Sequence, residues 1–182
     1  MLTMPEFVER KPQRYLAVRL PVVIPFAEDV DPAFDELFNA FARARVAPDG
    51  VEFIKFNLID MPRLEIETGM TTDATIPLSG RLVEGVLPGG RYVRMTYTGP
   101  YEGLYDATAM LVGWAKEKGL IWDSSSTEAG ELFACRLEVH DNNPSIEPDP
   151  SKLRTTLLFK LADVQSSTLE TTVNADGRPN SE

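Results

Sequence analysis

The sequence contains 182 residues, of which 43% are hydrophobic and 25% are charged, the usual composition of a globular domain. Its formal net charge is −10 and no basic patch is visible, so direct nucleic-acid binding is not expected. Cys135 is the only cysteine, which excludes an internal disulfide and favours a reducing compartment. No apolar run approaches the roughly 18 residues of a membrane span and no secretion signal is visible, so a cytoplasmic location is expected.

The first half of the chain predicts a strand, a helix and two further strands. Residues 15–23 are rich in aromatic and β-branched side chains, which indicates a strand. Asp31 and Pro32 predict the start of a helix at 32–46, with Asp31 as N-cap. Residues 52–59 and 64–70 predict two strands joined by a turn. The predicted helix carries an apolar stripe at the spacing i, i+3, i+4 and i+7, which indicates packing on a sheet: Phe34, Leu37, Phe38 and Phe41.

The second half predicts the same order of elements. Residues 81–87 and 91–97 predict a hairpin around the turn Pro88-Gly89-Gly90. A second helix is expected near 100–118, followed by strands at 132–140 and 153–161. The composition from Asp163 onward, poor in apolar residues, indicates a disordered tail at 163–182.

Two repeated phrases indicate that the halves are copies of one unit. Arg14-Tyr15 recurs as Arg91-Tyr92, and Arg63-Leu64-Glu65-Ile66 recurs as Arg136-Leu137-Glu138-Val139. We therefore predict an α+β fold over residues 1–162, in which duplicated β-α-β-β units form an antiparallel sheet of about eight strands with two main helices. The two Arg-Leu-Glu strands are expected to superpose, and a ligand is expected between the halves.

Several motifs in the second half resemble the GyrI-like small-molecule-binding domain, the effector-binding domain of AraC-type and MerR-type multidrug regulators. They are Leu87-Pro88-Gly89-Gly90-Arg91-Tyr92, then Tyr97-Thr98-Gly99-Pro100-Tyr101 before a helix with Trp114, and finally Glu138-Val139-His140 before Asn143-Pro144 and Leu153-Arg154-Thr155. The resemblance spans residues 5 to 162. It implies a hydrophobic pocket for bulky, often cationic aromatic compounds. No helix-turn-helix is expected before Tyr15, so a free-standing effector domain is expected.

The resemblance also implies which residues line the pocket. Glu138 matches the glutamate at the pocket floor, although Glu131 offers a competing match. His140 stands where the family has a tyrosine. Glu138 could instead be exposed, or paired with Arg136 or Arg154. The candidate ligand-binding residues are Glu138, Tyr101, Tyr97, His140, Glu65 and Phe159.

The resemblance leaves three functions open. The first is binding of xenobiotic or signalling small molecules. The second is hydrolysis of cyclopropane-bearing DNA alkylators, with Glu138 as general base and Tyr101 as hydrogen-bond donor. The third is inhibitory contact with DNA gyrase, and a regulator is another possible protein partner. No cofactor or metal is expected, because His140 is the only histidine, and that also argues against a haem ligand.

Overall fold

The computed structural model describes residues 1–163, which form ten strands and two α-helices. The predicted tail lies outside the described residues, except for Asp163. The elements are β1 (Glu6–Arg10), β2 (Gln13–Val23), α1 (Ala27–Ala44), β3 (Glu52–Asp60), β4 (Arg63–Thr71), β5 (Leu82–Leu87), β6 (Gly90–Thr98), α2 (Leu104–Glu117), β7 (Ser124–Thr127), β8 (Gly130–Phe133), β9 (Arg136–His140) and β10 (Arg154–Lys160). One-turn 3-10 helices at Tyr101–Gly103 and Pro150–Lys152 precede α2 and β10.

The sheet is antiparallel, and its strand order reveals the duplication. The order is β1-β6-β10-β9-β3-β4-β2-β5, and the β7–β8 hairpin joins β3 through β8. From the centre outward, β3-β4-β2-β5 on one side mirrors β9-β10-β6-β1 on the other. A pseudo-two-fold axis therefore passes between β3 and β9, which confirms the predicted α+β fold built from two copies of one unit.

One of the two repeated phrases occupies equivalent positions, and the other does not. Arg14 and Arg91 lie on the equivalent strands β2 and β6, 77 residues apart (91 − 14), and the two helices also begin 77 residues apart (104 − 27). The second phrase starts β4 in one half and β9 in the other, whereas the counterpart of β4 is β10. The prediction that the Arg-Leu-Glu strands superpose was therefore wrong, and Glu65 is not the counterpart of Glu138.

The predicted hairpin at residues 81–97 was also wrong. β5 pairs with β2 of the first half, while β6 pairs with β1 and β10. Each half therefore lends its first strand to the other half, and the turn at Pro88 carries the chain across the molecule. The hydroxyl of Tyr92 donates to the carbonyl of Pro88 at 2.6 Å and braces this connection.

Two element boundaries differ from the sequence prediction. The helix α1 starts at Ala27, so Asp31 and Pro32 lie inside it. The proposed strand at 132–140 is divided into β8 and β9. Between them the chain turns inward at Cys135, which is buried on the sheet face away from the helices.

The helices cover the two outer parts of one sheet face and leave its centre open. The helix α1 packs on β2 and β4, and α2 packs on β6. Buried apolar residues fill both contacts, around Phe41 under α1 and Leu111 under α2. The central strands β3 and β9 therefore form the floor of a groove between the two helices.

Candidate functional site

The floor of the interhelical groove carries three polar side chains from β9. Side chains alternate across a strand, so Arg136, Glu138 and His140 point to the same face. That face is the helix side, because Glu138 lies opposite Ile54 of β3 and Leu157 of β10, which belong to the cores under α1 and α2. The Ile54–Glu138 pair lies at the pseudo-two-fold axis, so Glu138 occupies the middle of the groove.

Glu138 is an unusual carboxyl because it lacks a strong partner. Burial raises its pKa to about 7, and the charge of Arg136 opposes that rise only in part. No side-chain hydrogen bond from residues 1–163 contributes to its pKa. A carboxylate in such surroundings is destabilised unless a donor or a cation approaches it.

His140 lies between two aromatic rings at one end of the groove. Its ring centroid is 5.9 Å from that of Phe34 on α1 and 5.5 Å from that of Tyr101. Burial lowers the pKa of His140 to about 4, so the imidazole is neutral at pH 7. Burial also raises the pKa of Tyr101, helped by the negative charges of Glu52 and Asp31, so its hydroxyl stays protonated. These rings form an aromatic end of the groove, and the acidic residues Glu52 and Asp31 lie near Tyr101.

Arg136 occupies the opposite end among three aromatic rings. Its guanidinium carbon lies 4.6 Å from the ring centroid of Phe159, 5.2 Å from Phe133 and 5.6 Å from Phe56. These distances are those of cation–π contacts. Burial nevertheless lowers the pKa of Arg136 to about 10, so it remains charged at pH 7. The groove thus places a fixed positive charge beside a titrating carboxyl.

Tyr97 and Phe159 lie on the same sheet face as Glu138. Tyr97 is level with His140 across β10, and its hydroxyl donates to the carbonyl of Pro100 at 3.1 Å. Its ring lies over Gly103, where an added Cβ would come within 2.0 Å of the Tyr97 hydroxyl. Gly103 therefore allows Tyr97 to support the turn that presents Tyr101. Phe159 is buried and packs edge-on against Trp122 at 5.5 Å.

Two of the carboxylates considered from sequence are not in the groove. Glu65 points to the opposite sheet face, where it accepts a hydrogen bond from Asn57 at 3.2 Å and lies 3.8 Å from Arg19. Glu131 lies on the β7–β8 hairpin and accepts a hydrogen bond from Ser126 at 2.6 Å. The structure therefore brings together Glu138, His140 and Tyr101, with Tyr97 and Phe159 nearby, but not Glu65.

Sequence patterns did not indicate Arg136 or Phe34 as residues of the site. Phe34 was interpreted only as part of the apolar stripe of α1, and nothing in its spacing distinguishes a core residue from a groove residue. Arg136 was considered only as a salt-bridge partner of Glu138. The two-residue period of a strand places Arg136 on the same face as Glu138 and could have revealed its presence in the groove.

The opposite sheet face contains a second cluster of charged side chains, and these form hydrogen bonds and salt bridges with one another. Glu67 is fully buried and accepts hydrogen bonds from Tyr15 at 2.7 Å and from Arg19 at 2.6 and 2.8 Å. Lys55 lies 3.8 Å from the same carboxylate. These contacts hold the pKa of Glu67 below its usual range against the effect of burial. Because Tyr15, Arg19 and Lys55 already surround the Glu67 carboxylate, we interpret this cluster as structural.

Two solvent-open concavities lie away from the groove. One, of about 400 Å³, is lined by Gln13, Asp49 and Thr72 among others, and the other, of about 350 Å³, by Thr96, Asp141 and Thr156 among others. Neither includes Glu138. Within residues 1–163, no cluster of histidine, cysteine, aspartate or glutamate suits a metal ion, and neither helix is long and apolar enough to cross a membrane.

The model of the GyrI-like small molecule binding domain matches residues 3–161, nearly the whole described chain. The chain belongs to the GyrI-like family. No curated protein matches its sequence. The family assignment agrees with the duplicated fold and confirms the resemblance found in the sequence.

Solved structures share this GyrI-like fold at low sequence identity. EcmrR in its DNA complex superposes with a TM-score of 0.67 at 16% identity, over 88% of this chain and 58% of EcmrR. This chain therefore spans less than two thirds of EcmrR, but it covers 98% of the isolated C-terminal domain, with a TM-score of 0.64 at 16% identity over 88% of this chain. A hydrolase from Listeria innocua gives 0.56 at 13% identity, over 87% of this chain and 91% of the hydrolase. SAV2435 bound to tetraphenylphosphonium gives 0.57 at 6% identity, over 91% and 98%.

Proposed function

We propose that this GyrI-like protein binds bulky aromatic small molecules in its interhelical groove, with Glu138 facing a cationic or hydrogen-bond-donating part of the ligand. The observation that carries this proposal is the position of Glu138 in the middle of the groove floor, between the apolar side chains of Ile54 and Leu157. Burial raises its pKa to about 7, and no side-chain hydrogen bond from residues 1–163 opposes that rise. A guest cation would offset the unfavourable burial of the carboxylate. Xenobiotics, meaning compounds foreign to the cell, are the class of ligand that we propose for this site.

The aromatic walls support a site of broad specificity. The rings of Phe34, His140 and Tyr101 stand at one end of the groove, and those around Arg136 stand at the other. Aromatic faces add stacking area and cation–π attraction without demanding one hydrogen-bond pattern. SAV2435, which shares the fold, is seen bound to the hydrophobic cation tetraphenylphosphonium. We extend that type of ligand to this protein as a proposal.

Titration calorimetry with tetraphenylphosphonium tests the proposal. We expect Glu138→Gln to weaken binding by about 1–3 kcal/mol, as for loss of one charged partner in a partly buried site. The matched control is Glu65→Gln, which makes the same chemical change on the opposite sheet face and is expected to leave affinity unchanged. Equal losses in the two variants would mean that overall charge, not the groove carboxylate, attracts the cation.

Hydrolysis of a strained electrophile is a second candidate, favoured by the same pKa. A carboxylate with a pKa of about 7 is a stronger base than an ordinary one, and it is still ionised in part at neutral pH. Glu138 would take a proton from water, the water oxygen would bond to a cyclopropane carbon, and the opening ring would pass its electron pair toward a conjugated carbonyl. The protonated hydroxyl of Tyr101 would donate to that carbonyl oxygen. A hydrolase from Listeria innocua shares the fold, which supports this candidate.

Single-turnover kinetics with a cyclopropane-bearing alkylator tests this candidate. We expect Glu138→Gln to lower the rate by about ten- to ten-thousand-fold, and Tyr101→Phe to lower it too. His140→Phe is the control, because a neutral imidazole with a pKa of about 4 is a weak base, so the basic limb of the pH–rate profile should persist. A Glu138→Gln variant that reacts at the wild-type rate would rule out the hydrolase mechanism. Ligand binding would then be judged separately. Contact with gyrase or with a regulator stays a prediction.

A further inference from the structure

The arginine of the groove lacks the two-nitrogen carboxylate contact that several other arginines make. Arg19, Arg81 and Arg94 each donate their Nε and one terminal nitrogen to a carboxylate, at distances of 2.6 to 3.1 Å. Arg136 Nε is buried and has no acceptor among residues 1–163. Glu138 acts on its charge through space, and no hydrogen bond between the two side chains is found among residues 1–163.

The aromatic rings around Arg136 satisfy only part of its chemistry. Rings attract the charge of a guanidinium through its flat faces, whereas its N–H groups point outward in the guanidinium plane. The buried Nε–H is therefore a donor without an acceptor, which is costly in a protein interior. An oxygen of a bound molecule could supply the acceptor.

Arg136 and Glu138 together define a two-point polar pattern on the groove floor. Residues two apart on a strand are separated by roughly 6.5 to 7 Å, and both side chains point to the same side. A lipophilic cation alone would meet Glu138 but would leave Arg136 unpaired and would experience its repulsion. A molecule with a donor at one point and an acceptor at the other would satisfy both.

We propose that the ligand is an amphoteric aromatic compound, with a cationic or donor group for Glu138 and a carboxylate or comparable oxygen acceptor for Arg136. This inference rests on the proposed binding function and names the ligand class more narrowly. It assigns Arg136 as the residue that determines specificity for the acceptor. The rings of Phe56, Phe133 and Phe159 hold its guanidinium in position.

Two dyes that differ in one carboxylate test the proposal. Rhodamine B carries a cationic ring system and a free carboxylate, and its ethyl ester keeps the cation but lacks the negative charge. By fluorescence polarisation we expect the wild type to bind rhodamine B about tenfold more tightly than the ester, as one charge-assisted hydrogen bond allows. Arg136→Gln should reduce the preference to less than about twofold, mainly by weakening rhodamine B.

The control variants separate a site effect from a folding effect. Arg94→Gln makes the same change at an exposed arginine that pairs with Glu6, and it should keep the full preference. Arg136→Lys keeps the charge and should keep part of the preference, even if Arg136→Gln does not fold. Unfolding curves of each variant show whether a weakened affinity comes from an altered fold.

The outcomes distinguish this inference from the function on which it rests. Equal binding of both dyes by the wild type, or a preference that survives Arg136→Gln, would overturn the amphoteric class and leave cation binding intact. Binding of tetraphenylphosphonium without binding of rhodamine B would overturn it too. If the wild type binds none of the three probes, the proposed binding function itself is overturned.

Discussion

Glu138 and His140 are neighbours on one strand face, and burial shifts their charges in opposite senses. The pKa of Glu138 is raised to about 7 and that of His140 is lowered to about 4, so both groups favour their neutral forms. The other titratable groups that face this part of the groove are Arg136, which stays charged, and Tyr101, near which Glu52 and Asp31 lie. The groove therefore costs the fold some stability through both residues, in different pH ranges.

The pH dependence of unfolding should reveal these two costs. The proton held by Glu138 stabilises the fold fully below about pH 4.5, and that contribution is lost as pH rises to about 7. The neutral state of His140 stabilises the fold above about pH 6.5, and that contribution is lost as pH falls to about 4. In the wild type the two slopes oppose each other between pH 4.5 and 6.5.

Urea unfolding of single variants separates the two slopes. We expect Glu138→Gln to be more stable than the wild type at pH 8 by about 2 kcal/mol, a moderated value because the side chain is not fully buried. The stability of this variant should rise with pH between 4 and 6.5, because the contribution of His140 remains. His140→Phe should show the opposite, a stability that falls from pH 4.5 to 7. Parallel curves for the two variants would contradict these pKa shifts.

Glu67 illustrates the contrasting case of a buried carboxylate that is fully paired. We expect Glu67→Gln to lower the free energy of unfolding by about 3–5 kcal/mol, since Tyr15, Arg19 and Lys55 would lose the charge that they surround. Chemical denaturation at pH 7 measures the loss. Glu65→Gln on the same face is the control, with an expected loss below about 1 kcal/mol because Glu65 is much more exposed. A similar small loss in both variants would show that the network stabilises little.

The exchanged edge strands determine how the halves depend on each other. β1 belongs to the first half of the chain but, among residues 1–163, pairs only with β6 of the second, and β5 pairs only with β2. An edge strand contributes its backbone hydrogen bonds to the partner and covers that partner's edge. Damage to the N-terminal strand should therefore be felt in the C-terminal half.

Removing residues 1–10 tests this dependence. We expect faster amide exchange in β6 and β10, whereas β2 and β4 should keep most of their protection, because β1 makes no pairs with them. Hydrogen exchange with mass spectrometry provides the measurement. Uniform deprotection of both halves would instead indicate that the sheet opens as one cooperative unit.

Local patterns were enough to predict most elements, but not their partners. The aromatic stripe of α1 and the Arg-Tyr repeat identified the helix and the equivalent strands, because amphipathic spacing is a local property. The exchange of β1 and β5 is invisible to such patterns, since strand pairing is decided by contacts far apart in sequence. The Arg-Leu-Glu repeat misled for the same reason, as three residues do not specify a position in a sheet.

The candidate site was predicted in part through the family resemblance. Glu138, His140 and Tyr101 were assigned from motifs, and the structure places them together. The role of Arg136 follows from its cation–π contacts with the rings of Phe56 and Phe159, which lie far from it in the sequence. Glu65 was assigned through a false equivalence between strands, and the topology removes it from the groove.

At the scale of the whole molecule, the charge of −10 and the groove carboxylate both attract cations, but they respond differently to salt and pH. Surface attraction is screened over about 8–10 Å at physiological ionic strength, whereas a buried contact is screened much less. An ordinary exposed carboxyl has a pKa of about 4. Burial raises the pKa of the groove carboxyl Glu138 to about 7, so its charge changes between pH 6 and 8. The pH dependence of cation affinity therefore reports on Glu138 in particular.

We expect tetraphenylphosphonium to bind about tenfold more tightly at pH 8 than at pH 6, because the ionised fraction of a group with a pKa of about 7 rises roughly tenfold over that range. The other groups facing this part of the groove, Arg136, His140 and Tyr101, keep their charge states across the range. Calorimetry at both pH values, repeated at ~0.05 and ~0.5 M salt, gives the measurement. Glu138→Gln should abolish the pH dependence and leave the salt dependence. An affinity that follows salt but not pH in the wild type would assign cation binding to the acidic surface and not to the groove.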